Sequence, residues 1–214
     1  MSGLRRVVGR TVTAFEDFGG LRGQRPVLLD VGTGDGKHVL HEARARPDWL
    51  VVGVDAAPAQ LQRASTSAAR KPSKGGLANA VFVQGSAEAL PAELGPAAEI
   101  HVLMPWGSLL RGCLGQGAVL DSLRAVSNLG APLLVTLNLH AWRPRVAEVG
   151  TSDEPTPESV LVDLAPDYAA AGWHVQASRY LDEPGIAALA TSWARRLHSS
   201  REQFDVLAIE AVAT

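Results

Sequence analysis

The sequence predicts an α/β fold: an open, mostly parallel, Rossmann-like sheet with helices on both faces. Three observations carry the prediction. Strand-like and helix-like segments alternate along the chain. The run Val27-Leu28-Leu29-Asp30-Val31 is apolar apart from one acid, as a strand buried on both faces reads, and it breaks at once into Gly32-Thr33-Gly34-Asp35-Gly36. A second acid, Asp55, closes the next apolar run about 20 residues on. A strand of this kind delivers the chain to a sheet edge, glycines turn it tightly against a ligand, and the later carboxylate can take two ribose hydroxyls. The pattern points to an adenosine-bearing cofactor.

The elements follow in order. Arg5 to Phe15 alternates β-branched and polar residues and reads as a hairpin ahead of the sheet. Pro26 to Val31 is the first strand and Lys37 to Ala45 its helix; Leu50 to Val54 is the second strand, and Pro58 to Arg70 an Ala-rich helix opened by proline. Ala80 to Gln84 and Glu99 to Met104 are the third and fourth strands, a helix follows around Leu120 to Ser127, and Pro132 to Leu139 is the fifth strand. Prolines and acids mark Trp142 to Pro157 as a loop insertion. Two short helical pieces split by Pro166 lead to a strand at Trp173 to Tyr180. A helix from about Pro184 to Leu197 and an alternating strand from Phe204 to Val212 complete the chain.

With 214 residues, 46% of them hydrophobic, the chain has room for one domain with a full core, the first 25 residues forming a hairpin extension. No apolar run approaches a membrane span, and Arg5, Arg6 and Arg10 are not followed by a signal-peptide core, so a cytoplasmic protein is expected. The one cysteine, Cys113, reads as helix packing, and no His/Cys/Asp spacing suits a metal. His38, His41 and His101 read as packing or surface residues; His140 and Trp142 fit either a pocket mouth or the core. The net charge is −2, yet bases gather at Arg5 to Arg10, Arg63 to Lys74 and Arg195 to Arg201.

Spacing narrows the cofactor. A dinucleotide site wants its third glycine one helical turn further on, and Asp30 and Asp35 would repel a pyrophosphate. They suit a cationic amino-acid sulfonium such as S-adenosylmethionine. A dinucleotide site, or a tight turn with no ligand at all, are the competing readings. The fourth strand ends in Leu103-Met104-Pro105-Trp106, where ligands of such sheets bind, and offers a carbonyl and a flat ring to a planar base with an exocyclic amine. Trp193, placed near the end of the last long helix, could sandwich the same base from the other side.

Four segments, Asp30-Val31-Gly32-Thr33-Gly34-Asp35-Gly36-Lys37, Lys71-Pro72-Ser73-Lys74-Gly75-Gly76-Leu77, Met104-Pro105-Trp106-Gly107-Ser108 and Thr191-Ser192-Trp193-Ala194-Arg195-Arg196-Leu197, together resemble the kanamycin–apramycin resistance methyltransferases. The resemblance extends over the whole chain, including Asn138 to Pro144, and is closest to the form of actinomycete aminoglycoside producers. It implies a class I S-adenosylmethionine-dependent methyltransferase with about seven strands, the last antiparallel. The acceptor it implies is N1 of a flipped adenine, position 1408 of 16S rRNA in the 30S subunit, and the enzyme is expected to work as a monomer.

By that resemblance Asp30, Gly32, Thr33 and Gly34 hold the methionine part of the cofactor, Asp55 the ribose, Ala87 and Glu88 the adenine, and Leu103 and Met104 the floor. Trp106 and Trp193 stack the flipped base, with the Pro105 carbonyl and Thr191 beside it. Arg70, Lys71, Lys74, Arg196 and Arg201 contact rRNA phosphates. Removing either tryptophan is expected to abolish methylation and leave cofactor binding nearly intact. The rival functions are methylation of tRNA guanine N7 or of a small molecule, and non-catalytic docking to RNA with cofactor bound.

Overall fold

The computed structural model describes residues 3–200 and 203–214. A hairpin of β1 (Arg5–Val8) and β2 (Thr11–Ala14) precedes the short α1 (Phe18–Arg22). Then come β3 (Val27–Val31), α2 (Lys37–Ala45), β4 (Leu50–Asp55), α3 (Pro58–Ala68), β5 (Ala80–Gln84), β6 (Glu99–Leu103), α4 (Gly107–Cys113), α5 (Val119–Ala125) and β7 (Pro132–Asn138). After the loop expected at 142–157 the chain forms α6 (Pro157–Ser159), a π-turn at Val160–Leu164, α7 (Ala165–Ala170), β8 (Trp173–Tyr180), α8 (Glu183–Ala188) and β9 (Val206–Ala213).

One sheet of nine strands runs in the order β2-β1-β5-β4-β3-β6-β7-β9-β8. β5, β4, β3, β6 and β7 are parallel, while β9, the last strand, pairs antiparallel with both β7 and β8. The expected seven strands are therefore β3 to β9, and the hairpin adds two more by pairing β1 antiparallel to β5. Strand order reverses between β3 and β6, so a crevice opens at the carboxyl ends of these two strands.

The period of two in the strands sorts the core. Leu29, Val31, Val52, Val54, Ile100 and Val102 pack on one face, whereas Leu28, Val51 and Phe82 meet Val39 and Leu61 of α2 and α3 on the other. Trp173 and Tyr168 are fully buried, and each polar atom has a partner: the indole N–H donates to the Leu120 carbonyl and the phenol to that of Cys113, both at 3.0 Å. Trp142 also lies in this core, whereas His140 is partly exposed and pairs with Asp205 at 3.1 Å.

Two sequence expectations give way. Pro166 does not split the helix before β8: the π-turn, with Ala165 N–H donating to the Val160 carbonyl, precedes it, and the chain stays helical from α6 through α7. The long helix expected from Pro184 to Leu197 is only α8. Ala190 takes φ +52° and breaks it, the Thr191 hydroxyl accepts from Ala194 N–H at 3.0 Å, and Ala194–Arg196 forms a separate 3-10 turn. Trp193 thus stands on a tight turn.

Candidate active site

β3 ends at the glycine turn. Gly32 and Thr33 N–H both donate to the Val54 carbonyl, at 2.8 and 3.1 Å, which folds the turn onto β4. All three glycines have positive φ, but they differ in surroundings. A Cβ on Gly36 would lie 2.6 Å from Ala64 and Phe82, so that glycine lets α2 approach α3 and the sheet. A Cβ on Gly34 would meet nothing within 4 Å; its free side faces a cavity of about 740 Å³.

Carboxylates ring that end of the cavity. Asp30 is 2% exposed and accepts the Thr33 hydroxyl. Asp55 accepts Gly34 N–H at 2.9 Å on one oxygen and Ala57 N–H at 2.8 Å on the other, which fixes its plane and leaves one lone pair on each oxygen for a ligand. Ala87 and Glu88, on the 3-10 turn Ala87–Ala89, form the adjoining wall. Hydrogen bonds from Ser108 and then Ser86 hold the Glu88 carboxyl below its ordinary range. These features fit an adenosine bearing a cationic tail: a fixed carboxylate for a diol, a bare glycine edge and a surplus of acid.

The opposite wall comes from two strained segments. β6 runs into Leu103, Met104, Pro105 and Trp106, with Met104 at φ +52° and its N–H donated to the Thr136 carbonyl at 2.8 Å. Leu103 and Met104 line the cavity beside Thr191, whose hydroxyl lies 4.0 Å from the Met104 sulfur. Trp106 and Trp193 are 37% and 42% exposed, unusual for so large an apolar ring, and their centroids are 5.8 Å apart at 39°. The Arg196 guanidinium sits 5.6 Å from the Trp193 ring.

Two parallel rings holding a base between them need about 7 Å, twice a van der Waals spacing of about 3.5 Å. The tryptophans therefore rest on each other here and would have to part to admit a base. A contact invisible in the sequence joins the two walls: Asp35 pairs with Lys37 at 2.7 Å and accepts the Ser192 hydroxyl at 2.5 Å, while Lys37 also reaches Ser192. Burial alone would raise the Asp35 pKa, but these hydrogen bonds and the Lys37 charge outweigh it and the carboxyl sits below its ordinary range. Adjacent hydroxyls at Thr191 and Ser192 were the available signal, since such residues favour caps and turns over helix interiors.

Arg70, Lys71 and Lys74 do not line this cavity. Arg70 and Lys71 precede the 3-10 turn Pro72–Lys74 and Lys74 closes it, ahead of β5, at the end of the sheet where the parallel strands begin. Arg201 lies outside the described residues. Among the described residues no three His, Cys, Asp or Glu side chains converge as metal ligands, and no helix is long and apolar enough to cross a membrane.

Residues 5–212 match the family model NpmA, described as 16S rRNA (adenine(1408)-N(1))-methyltransferase. The chain is 54% identical over 210 residues to the 16S rRNA (adenine(1408)-N(1))-methyltransferase of Streptoalloteichus tenebrarius, covering 96% of this chain and 97% of the relative. Among solved structures, the 16S rRNA methyltransferase KamB superimposes with a TM-score of 0.93 at 53% identity, over 98% of this chain and 99% of the other. A tryptophan-to-alanine variant of the Catenulisporales acidiphilia 16S rRNA (adenine(1408)-N(1))-methyltransferase, solved with the cosubstrate SAM, gives 0.88 at 40% identity, over 99% and 97%. The glycine turn, the fixed Asp55 and the paired tryptophans thus stand in a chain that belongs to the 16S rRNA (adenine(1408)-N(1))-methyltransferase family.

Proposed function

We propose that this chain methylates N1 of adenine 1408 in the 16S rRNA of the 30S subunit, with S-adenosylmethionine as donor, and thereby confers resistance to kanamycin and apramycin. One observation carries the reading: a single cavity has the acid-and-glycine turn at one end and an exposed tryptophan pair at the other. In it Asp30, Gly32, Thr33 and Gly34 hold the methionine part of the donor, Asp55 the ribose, and Ala87 with Glu88 the adenine, over a floor of Leu103 and Met104. When bound there, S-adenosylmethionine supplies a methyl group activated on a sulfonium.

N1 of neutral adenine carries an in-plane lone pair, so the acceptor needs no general base. The protein's work is alignment. Trp106 and Trp193 take the flipped base between them, the Pro105 carbonyl accepts from its exocyclic amine, and Thr191 stands at the floor. Extruding the base costs a few kcal/mol, which the stacks and phosphate contacts offset. Arg196 at the mouth reaches a phosphate beside that base, the role also proposed for Arg201. Arg70, Lys71 and Lys74 lie one helix away, and α3, 11 residues long, spans about 16 Å. Phosphate contacts that far apart suit the broad surface of an assembled subunit better than a short hairpin. The enzyme acts as a monomer in the cytoplasm, where its substrate is. The methyl group and positive charge left on the base disrupt drug binding.

Tritium transfer from labelled donor onto 30S subunits, followed by primer extension, tests this. A stop at adenine 1408 is expected. Label on tRNA or a small metabolite in its place refutes the reading, and binding to subunits without transfer favours the docking alternative.

A further inference from the structure

A buried file of polar side chains ties both strained segments together. His38 on α2 and His101 on β6 are 4% and 6% exposed. His38 Nδ1 lies 2.7 Å from the Leu189 carbonyl oxygen, His38 Nε2 lies 2.8 Å from His101 Nδ1, and His101 Nε2 lies 2.8 Å from Glu99 Oε1. Arg46 binds both Glu99 oxygens, at 2.5 and 3.3 Å, and its Nε reaches Glu42 at 2.9 Å.

Counting protons along the file gives an unexpected total. Two neutral imidazoles carry one ring N–H each. The Leu189 carbonyl can only accept, so His38 Nδ1 must be protonated. The contact between the rings takes one further proton. Burial alone would raise the Glu99 pKa, but the hydrogen bonds from His101 and Arg46 bring it down to about 2; Arg46 by itself, a pure donor at 2.5 and 3.3 Å, keeps the carboxylate ionised, so Glu99 accepts and His101 Nε2 donates. Three protons are needed where neutral rings supply two.

The surroundings balance the extra charge. Glu99 and Glu42 offset Arg46 and one imidazolium, and the cluster is neutral. On β3, Asp30 is in register with His101 but its carboxylate takes the Thr33 hydroxyl; on β7 the partner of His101 is the apolar Leu134. From α8 the pair meets only the Leu189 carbonyl, Glu183 at its start being paired with His198 at 3.4 Å.

Position supplies the consequence. Met104 and Ala190 are the non-glycine residues with positive φ among the described residues. Each precedes one tryptophan, Met104 two residues before Trp106 and Ala190 three before Trp193, and such strain persists only where neighbours enforce it. His101 lies three residues before Met104, and the Leu189 carbonyl immediately precedes Ala190. We propose that His38 and His101, sharing three ring protons, are positioning residues that hold the Trp193 turn against the strand carrying Trp106. The proposal rests on the reading of these tryptophans as the walls of the acceptor slot. Loss of the third proton leaves one of the three contacts, His38 to the Leu189 carbonyl, His38 to His101 or His101 to Glu99, without its hydrogen bond, and the hold on the turn weakens.

The test uses the ligand-free chain labelled with 15N-histidine and with fluorotryptophan, titrated from about pH 5 to 9, where histidines change charge. His38 Nδ1 and His101 Nε2 should both be protonated at the acid end, and the Trp193 fluorine signal should shift with the same midpoint as the pair. His38→Asn should remove that shift and lower kcat/KM on 30S subunits about tenfold or more, with affinity for S-adenosylmethionine within about twofold. Two protonated nitrogens at every pH, or a Trp193 signal indifferent to the pair, would overturn the proposal even if the variant fails to fold. Should the wild type not methylate subunits, the proposed function falls, while the two spectroscopic results, which need no substrate, still decide this inference.

Discussion

Trp193→Ala separates the cofactor half of the cavity from the acceptor half. In the free protein Trp193 leans on Trp106 at 5.8 Å and carries Arg196 over its ring at 5.6 Å. Base entry trades the ring–ring contact, worth about 0.5–1.5 kcal/mol, for a stack of about 1–3 kcal/mol on Trp193. Truncation loses the stack but also removes the contact that had to open, so the net loss in binding is about 0.5–1.5 kcal/mol, or roughly 2- to 12-fold. Misalignment of N1 by about 1 Å costs about a further 100-fold in the chemical step. Methylation of 30S subunits should therefore fall about 200- to 1000-fold in kcat/KM, close to abolition in a cell. Because no cofactor-side hydrogen bond involves the indole, calorimetric affinity for S-adenosylmethionine should stay within about twofold. A parallel loss of cofactor affinity, or a fall in kcat/KM below about threefold, refutes this division of the cavity.

Glu99 makes the fold acid-sensitive. Its pKa, about 2 against an ordinary 4.5, is depressed in the folded state, so the stabilisation is complete above about pH 4.5 and disappears as pH falls through 2. After allowance for solvent screening it amounts to about 1–2 kcal/mol, and urea unfolding of Glu99→Gln should show a flatter profile between those limits. Gly36→Ala, whose Cβ meets Ala64 and Phe82 at 2.6 Å, should cost about 2–4 kcal/mol of stability in a thermal melt. Gly34→Ala should cost only the backbone strain of about 1–2 kcal/mol but weaken S-adenosylmethionine binding, because its Cβ enters the cavity. Replacing Lys71 and Lys74 by alanine should reduce the slope of log affinity for 30S subunits against log salt by about 2, with cofactor affinity unchanged.

Most of the sheet was legible because burial on both faces leaves a plain signal: Val27–Val31 is apolar apart from Asp30 and stops at Gly32, and Leu50–Asp55 is apolar up to Asp55, with Pro58 close behind. The acceptor turn was not. Ile186, Leu189, Ala194 and Leu197 recur near helical spacing and all enter one buried cluster, so the pattern for a helix is genuine although the backbone breaks at Ala190. A turn that buries the same stripe mimics a helix, and only the hydroxyls at Thr191 and Ser192 mark the difference. The site residues of the glycine turn could be read from spacing, whereas the file from Glu42 to the Leu189 carbonyl joins groups up to 151 positions apart and exists only once the chain is folded.

Asp35 changes what the glycine turn does. By spacing alone it and Asp30 both face the ligand and favour a cation, but in the fold Lys37 and Ser192 take its charge. Among the described residues, six ionisable ones line the cavity: Asp30, Asp35, Asp55, Glu88, Lys37 and Arg196. With Asp35 offset by Lys37, three acids remain at the cofactor end, Asp30 and Asp55 beside the turn and Glu88 on the adjoining wall, and one base, Arg196, stands over Trp193 at the mouth. The cavity is thus acidic where a sulfonium is expected and basic where a phosphodiester is, a gradient that a dinucleotide would meet with its charge reversed and an uncharged metabolite would not use. Asp35 then serves the acceptor more than the donor, since its hydrogen bond is what anchors Ser192 beside Trp193. Asp35→Asn, which weakens that tie by about 1 kcal/mol, should lower kcat/KM on 30S subunits about fivefold while S-adenosylmethionine affinity changes less than twofold. The opposite pattern would return Asp35 to the role its spacing suggests, a charge set against the sulfonium.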